Sequence, residues 1–189
     1  PARPGPDPLQ PGPGRASPFG AAFQGRAVIA RLSGPVAEKG TDYAVLDERI
    51  AFLGPNGKPS RERGTLYEHC RRAIDTFWTR LSPRGVPLMG AGDWNDGLSA
   101  IGLKLKSESV WLAHFLVGIL DDWAELEQQL PRPDTKTIAK YRREAAKMRA
   151  AVNRHFWDGD WYVRATKDSG EVIGSKKCRD GRIYLNAQT

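Results

Sequence analysis

Cysteine and histidine are scarce in this chain, with two and three among 189 residues. Cys70 and Cys178 lie far apart, and His69, His114 and His155 share no metal-ligand spacing, which excludes a zinc-site or disulfide-framework reading. No metal ligand set is therefore expected, and a reduced, cytoplasmic setting is the simplest inference. No run approaches eighteen apolar residues, so a membrane span has no support. The first residues carry no apolar signal-peptide core, so export has none either. Nor is there a recognised nucleic-acid-binding motif behind the net charge of +7 and the pI near 9.6. The basic residues are spread out. Arg71-Arg72, Arg142-Arg143 and Lys176-Lys177 are isolated pairs near acidic residues, which reads as solvated helix faces rather than a nucleic-acid groove.

What the chain does have is apolar residues at 40%, with six tryptophans and six phenylalanines, enough for a core and for stacking surfaces. The length allows one domain or a piece of a larger one. Seven of the fourteen prolines fall in the first twenty residues, together with four glycines. Residues 1–40 therefore read as a disordered, linker or otherwise separate segment, with a short strand or helix at Gln24 to Leu32 at most.

Beyond Asp42 the pattern becomes regular. Tyr43 to Phe52 reads as a short helical or extended piece, and Gly54 to Pro59 as a loop of turn formers. Thr65 with Glu68 forms a capping-box pattern. Leu66, Cys70, Ala73, Ile74, Phe77, Trp78 and Leu81 then keep helical spacing, which Ser82-Pro83-Arg84-Gly85 ends. A second helix is expected from a Ser107 cap to about Leu130, with a stripe wide enough for burial on two sides. Pro131-Arg132-Pro133 breaks it. Asp134 can cap a third, with Ile138, Tyr141, Ala145, Met148, Val152 and Phe156 on one face. Trp157-Asp158-Gly159-Asp160 and Asp168-Ser169-Gly170 are turn signals around a strand-like stretch from Trp161 to Thr166. Three helices of sixteen to twenty-four residues make an α-rich piece of a larger helical assembly, and the ending at Thr189 reads as truncated.

One stretch looks chosen for chemistry. Gly90-Ala91-Gly92-Asp93-Trp94-Asn95-Asp96-Gly97 sets two carboxylates, an amide and a large aromatic among three glycines, in a loop between helices. A sugar ring presents apolar C–H faces and a hydroxyl rim, which suits an aromatic platform beside Asp and Asn. Glycosidic cleavage needs an acid on the leaving oxygen, and a carboxyl beside an indole can keep its proton near neutral pH. Either aspartate could serve, and no second catalytic partner appears at helical spacing. A calcium turn lacks the alternating ligands it would need. A structural loop, with Asp93 and Asp96 capping backbone amides, stays open on the residues alone.

The stretch Gly85-Val86-Pro87-Leu88-Met89 through Gly97 closely resembles the motif of the inverting disaccharide phosphorylases of glycoside hydrolase family 94. Glu62 to Cys70, Ser107 to Leu112, Trp157 to Tyr162 and Ile183 to Thr189 resemble further segments of that family, in family order. The resemblance implies that residues 41–189 are part of an (α/α)6-barrel catalytic domain, all-α with a short β-hairpin near the C-terminal end. It also implies reversible phosphorolysis of a β-linked, glucose-containing disaccharide to an α-sugar-1-phosphate and a free sugar. By the family pattern Asp96 is the general acid, and Trp94, Asp93 and Asn95 belong to the substrate-binding set. Inorganic phosphate is the co-substrate and nucleophile, so no catalytic base and no cofactor is needed, and full-length enzymes that the chain resembles are often homodimers.

Departures accompany the likeness. Leu98-Ser99 stands where methionine and asparagine are usual. The family's phosphate-binding residues would lie past Thr189, so the 189 residues alone are expected to be inactive. The phosphorylase-like domain of a cyclic β-glucan synthase, which shares the loop, is one alternative. A non-catalytic carbohydrate-binding remnant is another.

Overall fold

A computed structural model describes residues 43–54, 57–93 and 98–188. The readings made for residues 1–40 lie outside them, as do Trp94, Asn95 and Asp96. The described residues fall into two compact units, one ending at Thr76 and the other starting at Phe77.

In the first unit a 3-10 turn, Tyr43–Asp47, leads into an antiparallel hairpin of β1 (Arg49–Leu53) and β2 (Pro59–Thr65). Arg49 pairs with Thr65 and Ala51 with Arg63, and the register slips between Ala51 and Leu53. Gly54 donates to the Lys58 carbonyl at 2.8 Å across the turn. The sequence reading anticipated the turn but not the second strand. Pro59-Ser60-Arg61-Glu62-Arg63 is almost entirely exposed, so no apolar alternation marks it. The hairpin is held by its cross-strand bonds and by stacking. The Phe52 ring lies 3.8 Å from the His69 ring at an interplanar angle of 16°, and the Arg72 guanidinium stands 4.2 Å from the Phe52 centroid.

Helix α1 (Leu66–Phe77) begins at the expected capping box. The Thr65 amide donates to Glu68 Oε2 at 2.8 Å, and the Glu68 amide donates to Thr65 Oγ1 at 3.1 Å, satisfying two helix-start donors. It buries Cys70, Ala73, Ile74 and Phe77, the stripe read from the sequence. Its twelve residues fall short of the expected length because Trp78–Arg80 tightens into a 3-10 turn before the chain straightens.

The second unit is built on α2 (Val110–Gln129) and α3 (Thr135–Phe156), which pack against each other. Their pairing is antiparallel: Asp121 meets Arg149, and seven residues further along α2 Gln128 meets Arg142, seven residues back along α3. The link between them is tied twice. Asp134 caps α3 by accepting from the Lys136 and Thr137 amides at 3.0 and 3.2 Å, and its own amide donates to buried Glu127 at 3.0 Å. Eleven of the twenty α2 residues are buried, among them Leu112, Leu116, Ile119 and Trp123, so the wide stripe reflects burial around most of the helix. The cap of α2 is Ser109, not Ser107: the Ser109 hydroxyl accepts from the Leu112 amide at 3.1 Å. Ser107 lies two residues earlier in an extended segment, where its hydroxyl donates to the Thr166 carbonyl.

That extended segment is the centre of a small irregular sheet. Met89 donates to the Ser107 carbonyl at 2.8 Å and Ser109 to the Pro87 carbonyl at 3.0 Å. On its other side Thr166 donates to the Glu108 carbonyl at 3.0 Å and Val110 to the Arg164 carbonyl at 3.3 Å. Arg164 continues into a hairpin of β3 (Ala165–Thr166) and β4 (Val172–Ile173), which is the hairpin expected near the C-terminal end. Among the described residues no helix is long and apolar enough to cross a membrane. Among the described residues the chain is thus mainly helical, with two small hairpins.

Candidate functional site

Met89 meets Ser107, so the two ends of the excursion between them, described at residues 90–93 and 98–106, are joined at its base. The base is tight: a Cβ added at Gly102 would sit 2.6 Å from the Gly90 carbonyl oxygen and 3.1 Å from its nitrogen. Gly90 and Gly92 take positive φ of 63° and 131°, so two of the motif's three glycines are used for backbone conformation.

Three backbone amides near the far end of the excursion, those of Lys104, Lys106 and Ser107, point at one carboxylate. Asp168 accepts them at 2.7, 2.9 and 3.1 Å, while the Asp168 amide donates to the Ile101 carbonyl at 2.9 Å. Burial opposes ionisation of this carboxyl, but the three N–H donors outweigh it and draw its pKa below the ordinary value. In the sequence Asp168 belongs to a turn signal, Asp168-Ser169-Gly170. It is also a brace across the loop, and Leu105 beside it takes φ of 56°, a rare left-handed conformation for leucine.

At the near end stands Asp93, with both carboxylate oxygens engaged. Arg164 Nη2 lies 2.7 Å from Oδ1 and 2.6 Å from Oδ2, and the Ser109 hydroxyl donates to Oδ2 at 2.7 Å. Arg164 Nη1 approaches Ser109 Oγ at 3.3 Å. The side chains of Asp93 and Arg164 have no exposed surface. A second ion pair lies one residue before Ser109, where Glu108 receives Nε and Nη2 of Arg84, with Thr166 Oγ1 at 3.4 Å. Glu108 is almost wholly buried while Arg84 is two-fifths exposed.

The structure therefore places Asp93 in a buried ionic cluster. It does not describe Trp94, Asn95 and Asp96. Leu98 and Ile101, just past them, stand on the wall of an open cleft of about 840 Å³ that Phe156, Val163, Ile173 and Tyr184 also line. Lys167, Lys177 and Arg179 bring positive charge to it, with Glu171 and Asp180 among them.

The sequence pattern of the glycosyl hydrolase 94 superfamily, catalytic domain, matches residues 27–189, most of the chain. The chain belongs to this superfamily. Its match begins ahead of the boundary drawn near residue 41. A solabiose phosphorylase of Paenibacillus borealis is 38% identical over 148 residues, which is 78% of this chain and 18% of that protein. The cyclic beta-(1,2)-glucan synthase NdvB of Rhizobium meliloti is 34% identical over 84% of the chain and 5% of its own length. A cellobionic acid phosphorylase of Neurospora crassa is 32% identical, again over 78% of the chain and 18% of that protein. The chain thus spans less than a fifth of the length of these curated relatives.

Arg164 and Ser109 are the site residues that the sequence reading missed as chemistry. Ser109 lay inside a segment already noticed, and a serine just before an apolar helix signals a cap but not a second partner. Arg164 lies between Val163 and Ala165, both buried. In a strand, neighbours of apolar residues point to the other face, so an arginine there reads as solvated. An arginine flanked by core residues on a short strand was the available signal.

Proposed function

We propose that the chain carries the acid loop of an inverting β-glycoside phosphorylase, within an (α/α)6 barrel. The superfamily match across residues 27–189, together with the intact Gly-Asp-Trp-Asn-Asp-Gly sequence, carries this reading. Asp96 donates its proton to the glycosidic oxygen as the C1–O bond breaks. A phosphate oxygen attacks C1 from the opposite face, which inverts the anomeric centre and yields an α-sugar-1-phosphate. The released sugar departs with the proton of Asp96. Trp94 offers its indole face to the ring being transferred, and Asn95 offers an amide to its hydroxyls. Phosphate replaces the carboxylate base that a hydrolase needs to activate water, so one acid suffices.

The test is Asp96→Asn in the full-length protein, followed by phosphate-dependent release of sugar-1-phosphate from β-linked glucosyl disaccharides. Turnover should fall at least about 100-fold, the usual contribution of a general acid, with the unfolding midpoint unchanged. Retained turnover rejects the assignment of the acid. The 189 residues alone should be inactive.

A second reading has its own support in the 34% identity to a cyclic beta-(1,2)-glucan synthase. In that case the substrate is a β-glucan chain, and the same acid protonates a linkage within or at the end of a polymer. Comparing a disaccharide with a β-1,2-glucan in the presence of phosphate separates the two readings by which one is consumed.

A further inference from the structure

We infer that Arg164 and Ser109 are positioning residues for the acid loop, acting through Asp93. This inference rests on the phosphorylase reading above. Its structural basis is the three-way cluster of Asp93, Ser109 and Arg164, in which the serine hydroxyl is fully used. The Ser109 hydroxyl has one proton and two lone pairs: the proton goes to Asp93 Oδ2, while the Leu112 amide at 3.1 Å and Arg164 Nη1 at 3.3 Å approach the oxygen. The same oxygen thus starts helix α2 and holds the loop. The guanidinium contributes one nitrogen to Asp93 and another to Ser109, a fork that a lysine ammonium cannot reproduce.

The cluster is built into rigid parts. Arg164 is anchored through its backbone, donating to the Ile173 carbonyl at 2.8 Å and accepting from Val110 at 3.3 Å. Its backbone nitrogen would lie 2.7 Å from a Cβ added at Gly174, so the residue that follows β4 fits closely against it. Ser109 is fixed at the first turn of a twenty-residue helix. Asp93 stands three residues before Asp96 in the chain. Its fixed carboxylate therefore sets the point from which the segment bearing the acid departs, while Asp168 braces the other end of the excursion at Lys104 to Ser107. An acid must reach its oxygen within hydrogen-bond distance, and an error of about 1 Å costs about 100-fold in rate.

The experiment uses two substrates that differ in their need for a proton. A disaccharide leaves as a sugar alkoxide unless it is protonated, whereas a β-glucosyl fluoride releases fluoride with the bonding electrons and needs no strong acid. Phosphate forms the new bond to C1 in both cases. Arg164→Lys and Ser109→Ala are prepared in the full-length protein, and kcat, KM and the pH profile are measured with each substrate. The expected result is a fall in disaccharide kcat of about 100-fold. The fall with the fluoride should be at least tenfold smaller, with disaccharide KM moved less than about threefold, and the alkaline limb of the disaccharide profile should flatten. Equal losses on the two substrates would mean that the cluster only maintains the fold, and would overturn the inference. So would wild-type-like kcat in both variants. If Arg164→Lys fails to fold, Ser109→Ala, which keeps the ion pair, decides the matter. A wild-type protein that turns over neither substrate removes the phosphorylase reading itself, and the inference with it.

Discussion

Arg164 meets both carboxylate oxygens of Asp93, at 2.7 and 2.6 Å, across 71 residues of sequence, and neither side chain has any exposed surface. A pair so enclosed is costly to break on one side only, because the survivor is left as an uncompensated charge. Arg164→Met and Asp93→Asn should each destabilise the protein by about 3–5 kcal/mol in urea unfolding. The double variant should cost less than the sum of the two by about 1–3 kcal/mol, since it leaves neither group stranded. Strict additivity would mean that the two groups do not act as a pair in solution.

The sequence made the helices legible because their patterns are local. The Asp134 cap and the face from Ile138 to Phe156 are set by residues three or four apart, and the structure buries that face as read. The Thr65–Glu68 capping box is equally local. What stayed hidden depended on distant partners or on solvent. Strand β2 has no apolar face to show because most of it is exposed. The Ser107 cap was misplaced by two residues because the backbone at Ser107 to Ser109 is recruited into pairing with Pro87 to Met89 and with Arg164 to Thr166, which delays the helix. The motif drew attention to Asp93, but only the fold could supply Arg164 and Ser109.

Gly102 is a test of the loop base that touches no ionisable group. A methyl group there would lie 2.6 Å from the Gly90 carbonyl oxygen and 3.0 Å from Ser107 Cβ, so backbone and not merely a flexible side chain must yield. Gly102→Ala should cost about 1–3 kcal/mol, the usual range for overpacking. Disaccharide phosphorolysis should fall with it, since the strain is placed where the excursion closes. A variant with unaltered stability would show that the two segments do not approach this closely.

The two thiols should differ sharply in reactivity. Cys70 is buried on α1, and burial pushes its pKa up to about 11, which leaves almost no thiolate at neutral pH. Cys178 is only partly covered, with its sulfur 3.5 Å from the Val172 carbonyl. A water-soluble disulfide reagent at pH 7.5 should therefore label Cys178 rapidly, with Cys70 reacting only after urea unfolds the chain. Peptide mapping after brief labelling checks this. Fast modification of Cys70 in the native state would show that α1 opens readily.

Asp168 gives the loop a dependence on acid whose direction follows from its bonds. Burial raises its pKa, but the amides of Lys104, Lys106 and Ser107 lower it further, so the folded value lies below the ordinary 3.8. A group depressed on folding contributes stability that is fully present above the unfolded pKa and fades as pH falls through the folded one. The gap in unfolding free energy between wild type and Asp168→Ala should hold steady from neutral pH to about 5. It should then narrow below about pH 4, near the ordinary carboxylate pKa. Unfolding midpoints across that range measure it. A gap that widens on acidification would mean that the protonated carboxyl, not the carboxylate, braces Lys104 to Ser107. Because the same three amides close the far end of the excursion, phosphorolysis by Asp168→Ala should be impaired even at neutral pH, where the carboxylate does most.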